Sequence, residues 1–281
     1  RGLVVPRAFH LPEARAGEPF TILMEDLSGR FPRGAGARTR EMSRAEVQAA
    51  LRWLAAFHAT FWEEPKAVER GLFERGSFWI LDELGSLQLG SVRDDYDNAY
   101  ISNGEFRRLR AAAQAVDARL SGRRATAPHE GVATTHRTLV HGDSKPANML
   151  CSAHDGELQC AAIDFAWAGE GYGVYDVMHL LWRVASTDEV NDHLAYYYAE
   201  LAKLLPIRVR QVYTYALMLK HFELCVLDRV RWWTGHYGGD LFVAMPWALA
   251  LMRVALARLD GGHLKSPEEY AIAVDDLYLL E

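Results

Sequence analysis

A short segment near the middle of the chain concentrates polar side chains that could do chemistry. It reads HGDSKPAN over residues 141–148, and Asp164 follows in the run AAIDF. Apolar runs on both sides of Asp155–Gly156 predict a β-hairpin with a two-residue turn. This hairpin would fold the chain back and bring Asn148 beside Asp164. Because Mg²⁺ prefers hard oxygen ligands, one amide and one carboxylate could hold that ion.

Phosphoryl transfer is the chemistry that suits these residue types. It requires Mg²⁺ against the phosphates and a carboxylate that orients and deprotonates the attacking hydroxyl. With Asn148 and Asp164 at the metal, Asp143 would face the acceptor alcohol as the base. Lys145 could meet the transferring phosphate as a compact positive charge, or it could be a solvated side chain. Turn capping is the structural alternative for the three Asp and Asn residues.

The elements that must carry these residues are mostly helical by pattern. Ser43 followed by Glu46 has the form of a capping box, and apolar residues repeat at helical spacing after it. The same start recurs at Ser102/Glu105, Ser186/Glu189 and Ser266/Glu269. Further helices are predicted over 175–185, 207–233 and 245–259. The sequence therefore predicts an α+β fold in which a helical body holds one hairpin.

Composition excludes several classes of protein. The 281 residues include 31 Lys and Arg against 37 Asp and Glu, a net charge of −6 that argues against a nucleic-acid partner. The longest nearly apolar run, 241–252, is shorter than the roughly 20 residues that span a bilayer. Cys151, Cys160 and Cys225 lack the spacing of a zinc site or a disulfide framework. We therefore expect no membrane span, free thiols, and a cytoplasmic or other reducing intracellular compartment.

The polar segment and the AAIDF run resemble a known pair of motifs. HGDSKPAN followed by IDF is similar to the HxDxxxxN and DF(G) motifs of protein-kinase-like phosphotransferases. Gly142 after the histidine, and IDF without a following glycine, resemble the aminoglycoside phosphotransferase and choline-kinase-like branch. The resemblance implies a protein-kinase-like fold with a mostly helical C-terminal lobe, ATP and Mg²⁺ as cofactors, and a small-molecule hydroxyl as acceptor. It also implies Asp143 as the base, and Asn148 and Asp164 as the Mg²⁺ ligands.

The resemblance extends to the nucleotide site. The run FTILMEDL is similar to the last strand of the family's N-terminal lobe and the hinge that follows. It implies that backbone groups of Glu25, Asp26 and Leu27 meet adenine, and that Leu150 and Ile163 form an apolar floor beneath it. By the same resemblance, Asp176 at a helix start braces the catalytic loop. His141 is expected to pack and hydrogen-bond beneath that loop.

The N-terminal part departs from the family pattern. Before Thr21 there is neither a glycine-rich strand-turn-strand nor a Lys and Glu pair that could clamp phosphates. We predict two parts, a remnant of the N-terminal β lobe with the hinge over 1–27 and a helical C-terminal lobe over 28–281. The chain is expected to be a piece of a complete kinase. The alternative is a pseudokinase or structural subunit that uses a truncated lobe as a scaffold for partner chains.

The sequence does not identify the acceptor molecule. Four acidic residues could attract an amine, or they could form a solvated face: Glu170, Glu223, Asp228 and Asp240. Several aromatic residues could box a cation, or they could be core: Trp167, Trp182, Trp232, Trp233 and Tyr237. A protein kinase is the remaining alternative, supported by Lys145-Pro146 and opposed by Gly142 and the missing DFG glycine. Amino alcohols, aminoglycosides and sugar-like molecules are therefore all candidate substrates.

Overall fold

A computed structural model describes most of the chain. The described residues are 3–10, 21–34, 41–77, 100–154, 156–182, 184–237 and 245–278. Several predicted features fall wholly or partly outside them, including the first turn residue Asp155, the acidic Asp240 and the first residues of the apolar run 241–252. The division of the chain at residue 27 stays a prediction.

Helices and three small antiparallel sheets make up the described residues. The helices are α1 Arg44–Thr60, α2 Asn103–Leu120, α3 Val174–Leu181, α4 Val190–Leu204, α5 Ile207–Val212, α6 Tyr215–Tyr237, α7 Pro246–Asp260 and α8 Pro267–Tyr278. The strands are β1 Ala8–His10, β2 Leu23–Met24, β3 Thr138–Val140, β4 Met149–His154, β5 Glu157–Ala162 and β6 Gly169–Gly171. Strands pair as β1 with β2, β3 with β6, and β4 with β5. The predicted α+β class is confirmed.

The predicted hairpin is the pair β4 and β5. Its register runs from Met149 opposite Ala162 to His154 opposite Glu157. Gly156 has a φ of +79°, a left-handed conformation that glycine adopts without strain, at the turn. Asn148 immediately precedes β4, and Asp164 follows β5 by two residues, as the hairpin geometry requires.

Capping boxes begin three of the helices as predicted. At α1 the Ser43 N–H donates to Glu46 Oε2 at 2.9 Å, and the Glu46 N–H donates to Ser43 Oγ at 3.4 Å. Ser102 and Glu105 repeat this arrangement at α2, and Ser266 and Glu269 repeat it at α8. At residue 186 the prediction is off by one turn, since Ser186 and Glu189 close a turn and α4 begins only at Val190.

The prediction of one continuous helix over 207–233 is wrong. The chain forms the short helix α5, leaves helical geometry at Tyr213, and starts again as α6 at Tyr215. The Thr214 hydroxyl accepts the Leu217 N–H at 3.2 Å, which satisfies a free amide at the start of α6. The apolar periodicity continues through Thr214, but its side chain interrupts the helix, because it offers the backbone an alternative to the helical bond.

The main core lies where α1, α4 and α6 pack around the hairpin and α3. Alternation along β4 and β5 divides the hairpin residues between two faces. Cys151 and Cys160 face the main core, whereas Leu150 and Ala161 belong to a second, separate cluster. All three cysteines are buried and none is in a disulfide. In the described part of the chain, no helix is both long and apolar enough to cross a bilayer.

Candidate active site

The loop after β3 brings three of the predicted residues together. Asp143 is buried, at 5% exposure, and its Oδ2 atom contacts the Lys145 ammonium. The Asn148 side-chain amide donates to the Asp143 carbonyl oxygen at 2.8 Å and to Asp143 Oδ2 at 3.0 Å. A 3₁₀ turn over Pro146–Asn148 makes this return possible, since it brings the amide back over the residue five positions earlier. The short segment 143–148 therefore forms one polar cluster.

Gly142 is required by the shape of this loop. Its φ is +80°, a conformation that L-residues with side chains rarely adopt. A Cβ atom at this position would lie 2.0 Å from the Trp167 carbonyl oxygen, far inside van der Waals contact. The backbone at Gly142 therefore packs directly against the backbone at Trp167, and only glycine allows this close contact.

His141 lies beneath the loop and is fully buried, which confirms the predicted packing role. Its Nε2 atom is 2.9 Å from the Ile163 carbonyl oxygen, and its Nδ1 atom accepts the Asp143 N–H at 3.3 Å. Because a carbonyl only accepts, the ring proton must be on Nε2. The neutral ring thus ties the Asp143 loop to the segment that carries Asp164.

Asp176, in the first turn of α3, holds the loop in place by binding the loop's backbone N–H groups. Its Oδ2 accepts the His141 N–H at 2.6 Å, its Oδ1 accepts the Gly142 N–H at 3.0 Å, and its carbonyl accepts the Ser144 hydroxyl at 2.7 Å. Burial alone would raise the pKa of this carboxyl, but hydrogen bonds from His58 and from His141 hold the pKa below its ordinary value. Asp176 is therefore an ionised anchor, and the predicted bracing contact is present.

His58 and Tyr197 support Asp176, and sequence reasoning assigned no role to either. The His58 Nε2 atom is 3.1 Å from Asp176 Oδ2, and its Nδ1 atom is 2.8 Å from the Tyr197 hydroxyl. His58 has no exposed surface, and a Cβ added to Gly173 would lie 2.7 Å from its ring. The sequence signal for such a role is a histidine on the buried face of an amphipathic helix. Because that face is apolar, the ring nitrogens of the histidine need a polar partner from another element.

Asn148 and Asp164 lie on neighbouring chain segments. The Ile163 N–H donates to the Asn148 carbonyl at 3.0 Å, which places the residue before Asp164 directly beside Asn148. Asp164 has a φ of +65° and an exposed side chain that no described residue hydrogen-bonds. Asn148 donates both of these hydrogen bonds through its amide nitrogen, so its Oδ1 atom takes no part in the contact with Asp143. Among the described residues, no three His, Cys, Asp or Glu side chains form a ready-made metal cluster.

The predicted nucleotide-site residues divide into two groups. Leu27, Leu150 and Ile163 meet in the second apolar cluster, which also includes Phe31 and Ala161. Leu27 and Leu150 come from segments more than a hundred positions apart, so only the fold brings them together. This cluster lies on the side of the hairpin away from the main core.

Glu25 and Asp26 bind within their own segment. The Glu25 carboxylate accepts the Arg7 N–H at 3.3 Å and an Arg30 N–H at 2.9 Å, while Asp26 Oδ1 accepts the Ser28 N–H at 2.8 Å. The Glu25 N–H donates to the Arg7 carbonyl at 2.8 Å, beside the β1 and β2 ribbon. These side chains therefore shape the segment that leads to Leu27.

The acidic residues considered for an amine acceptor are already engaged. Their partners are Arg258 and Tyr278 for Glu223, Arg75 and Arg231 for Asp228, and Arg137 with the Ala67 N–H for Glu170. Glu223 and Asp228 are buried, so they do not form a solvated face either. Asp240 lies outside the described residues. These three carboxylates serve the fold, and they give no support to an amine site.

Three of the four tryptophan residues considered for a cation box are core residues around a protein cation. The fourth, Trp167, is half-buried and stacks on Phe73, and the side chain of Tyr237 lies outside the described part of the structure. Trp182, Trp232 and Trp233 are buried, at 1%, 5% and 4% exposure. The Arg229 guanidinium carbon lies 5.4, 5.0 and 5.1 Å from their ring centroids. A guanidinium over aromatic faces is a favourable cation–π arrangement. The box therefore holds a side chain of this chain.

Comparisons with known proteins agree with this architecture. A model of a family described as the phosphotransferase enzyme family matches residues 1–207. Because the match covers well over half of the chain, the protein belongs to that family, and the resemblance drawn from the sequence motifs is confirmed. No curated protein sequence matches the chain.

Two kinases are among the solved structures that match this chain. A microcompartment-associated aminopropanol kinase is 17% identical, with a TM-score of 0.54 and coverage of 94% of this chain and 78% of that one. An amicoumacin kinase in complex with AMP-PNP, Ca²⁺ and Ami is 14% identical, with a TM-score of 0.45 and coverage of 96% and 75%. The likeness to the aminopropanol kinase shows a shared fold and confirms the predicted kinase-like architecture.

Proposed function

We propose that the protein is an ATP- and Mg²⁺-dependent phosphotransferase that phosphorylates a hydroxyl group of a small molecule. The observation that carries the proposal is the state of Asp143. This carboxylate is nearly buried, held on one oxygen by Lys145 and Asn148, and fixed in place by the bonds from its loop to Asp176. A base for in-line transfer needs this orientation, since positioning and charge supply most of the catalysis of phosphoryl transfer.

The remaining residues take roles around Asp143. The acceptor hydroxyl attacks the γ-phosphorus, its proton passes to Asp143, and ADP leaves. Lys145 has 44% of its side chain exposed, so its ammonium can turn from Asp143 towards a phosphate oxygen. Leu150 and Ile163 would form the apolar floor beneath adenine, with Leu27 beside them. Backbone groups of residues 25–27 would hydrogen-bond its edge.

Asn148 and Asp164 fit a magnesium ion. An amide oxygen and an exposed carboxylate are hard ligands, and Mg²⁺ completes its shell with water and substrate phosphates. When bound, the ion neutralises the phosphate charge that would otherwise repel the attacking oxygen. The left-handed backbone at Asp164 is a conformation that costs about 1 to 3 kcal/mol and is common at functional sites.

Calorimetric titration with ATP tests the proposal. Wild-type protein should bind ATP in the presence of Mg²⁺ and bind it much more weakly in EDTA. Asp164→Ala should lose the Mg²⁺ dependence, whereas Asp276→Ala, which removes an exposed carboxylate on α8, should not. Magnesium-dependent binding justifies an ADP-release screen of amino alcohols, sugars and aminoglycosides. The name of the aminopropanol kinase puts amino alcohols first in that screen.

The alternative is a scaffold without catalysis. Absence of ATP binding under both conditions would contradict the proposed activity of this chain and favour a pseudokinase or structural subunit. Partner chains would then be sought by co-purification. ATP binding with no release of ADP for any acceptor would support the same alternative.

A further inference from the structure

The two carboxylate oxygens of Asp143 have different surroundings. Oδ2 contacts the Lys145 ammonium and the Asn148 amide. No described residue donates a hydrogen bond to Oδ1, and His179 Nε2 lies 3.7 Å from it. The Asp143 side chain keeps 7% of its surface exposed. An incoming group that is to lose a proton must therefore approach Oδ1.

His179 is fixed by the same helix that braces the loop. It lies three residues after Asp176 on α3, so the two side chains share one face of that helix. His179 is buried, at 5% exposure. Burial lowers its pKa well below the ordinary value, and the charges of Arg229 and Lys145 act in the same direction. The imidazole is therefore neutral at pH 7 and carries one proton.

The proton of this neutral ring belongs on Nε2. A carboxylate oxygen only accepts hydrogen bonds, and an unprotonated Nε2 would place two acceptors 3.7 Å apart in a buried setting. With Nε2 protonated, the ring presents its N–H towards Asp143 Oδ1. The separation is too long for a direct hydrogen bond between the two.

A single oxygen atom can bridge this separation. An atom about 2.8 Å from both Asp143 Oδ1 and His179 Nε2 forms a triangle with the 3.7 Å base, at hydrogen-bonding distance from each. We propose that these two atoms form the seat of the acceptor hydroxyl: its O–H donates to Asp143 Oδ1, and one of its lone pairs accepts from His179 Nε2–H. This inference rests on the proposed phosphotransferase function and names a second residue that touches the acceptor.

The proposed transfer step is balanced, and the seat selects alcohols over amines. The second lone pair of the hydroxyl oxygen forms the bond to the γ-phosphorus while the bond to the β,γ-bridging oxygen of ATP breaks. The hydroxyl proton moves to Asp143 Oδ1, and His179 keeps its own proton throughout. An ammonium group has donors but no lone pair, so it cannot accept from His179. The seat therefore takes the hydroxyl of an amino alcohol and rejects its amine.

Kinetics of two His179 variants test the seat. His179→Gln can keep an N–H donor near the position of Nε2, whereas His179→Leu removes it. With the acceptor found in the ADP-release screen, His179→Leu should lose about tenfold or more in kcat/KM for the acceptor, since one well-placed hydrogen bond is worth about that much. KM for ATP should stay constant. His179→Gln should recover part of the loss, and His193→Leu, which removes another buried imidazole, should resemble wild type.

Equal acceptor kinetics in wild type and His179→Leu would overturn the inference while leaving the phosphotransferase proposal intact. If the wild-type chain binds no ATP, the proposed function fails, and a crystal structure of the chain then decides about the seat. An ordered water within hydrogen-bonding distance of both Asp143 Oδ1 and His179 Nε2 would support it. A direct hydrogen bond between these two atoms, with no oxygen between them, would refute it.

Discussion

Removal of the His58 imidazole is the most informative perturbation of the catalytic-loop support. The buried Asp176 carboxylate accepts three side-chain and backbone bonds, at 2.6, 3.0 and 3.1 Å, and the longest comes from His58 Nε2. Because the carboxylate only accepts, the ring proton is on Nε2, and Nδ1 accepts from the Tyr197 hydroxyl. His58→Leu therefore removes one bond to a buried charge and leaves one buried hydroxyl without a partner.

The magnitude follows from these two losses. A hydrogen bond to a charged group contributes about 1.5 to 3 kcal/mol, and a buried hydroxyl left unsatisfied costs about 1 to 3 kcal/mol. We expect His58→Leu to lower the free energy of unfolding by about 4 kcal/mol in urea titrations followed by circular dichroism. His58→Gln, which can keep the donor to Asp176, should lose about half of that. Tyr197→Phe should reduce the further cost of His58→Leu, because one of the two losses has already been made.

The stability difference between wild type and His58→Leu should also depend on pH in a defined direction. Hydrogen bonding holds the pKa of Asp176 below its ordinary value of 3.8, so its stabilising effect is full above that pH and is lost as the pH falls through the lowered value. The difference between wild type and His58→Leu should therefore be constant near pH 7 and shrink in acid. A loss of less than about 1 kcal/mol at pH 7, or a difference that grows in acid, would refute the proposed support of Asp176.

Two further predictions concern the loop itself. Asp143→Asn should reduce turnover at least a thousandfold, roughly the value of losing an oriented base, while calorimetry still detects ATP binding; retained turnover would remove Asp143 from the role. Gly142→Ala should destabilise the chain far more than Gly261→Ala. Both glycines have positive φ, but an added Cβ at Gly142 meets the Trp167 carbonyl at 2.0 Å and one at Gly261 meets nothing within 4 Å. Similar unfolding midpoints for the two variants would contradict the close backbone contact.

Local features of the fold could be predicted from the sequence because neighbouring residues cause them. The capping boxes at α1 and α2 and the hairpin turn each depend on residues within a few positions of one another. The wrong prediction of a single helix over 207–233 has a local cause too. Periodicity continues through Thr214, but the side chain of that residue caps a new helix.

Only those residues of the candidate site that belong to the sequence motifs could be predicted. The spacing of Asp143, Asn148 and Asp164 indicated phosphoryl transfer, since hard oxygen ligands and a base at strand ends suit that chemistry. The structure brings Asn148 against Asp143 and sets Ile163 beside Asn148, as the hairpin required. Their catalytic and metal-binding roles stay predictions until the variants are measured.

By itself, the sequence determined the family, the hairpin and the polar loop. Only the tertiary structure decided which distant side chains serve that loop. His58 and Asp176 are 118 positions apart, and their contact depends on how α1 packs against α3. The same holds for Glu223 and Asp228, which look like free acids in sequence but are buried in ion pairs. A residue's type fixes what it can bind, whereas the packing of whole elements fixes what it meets.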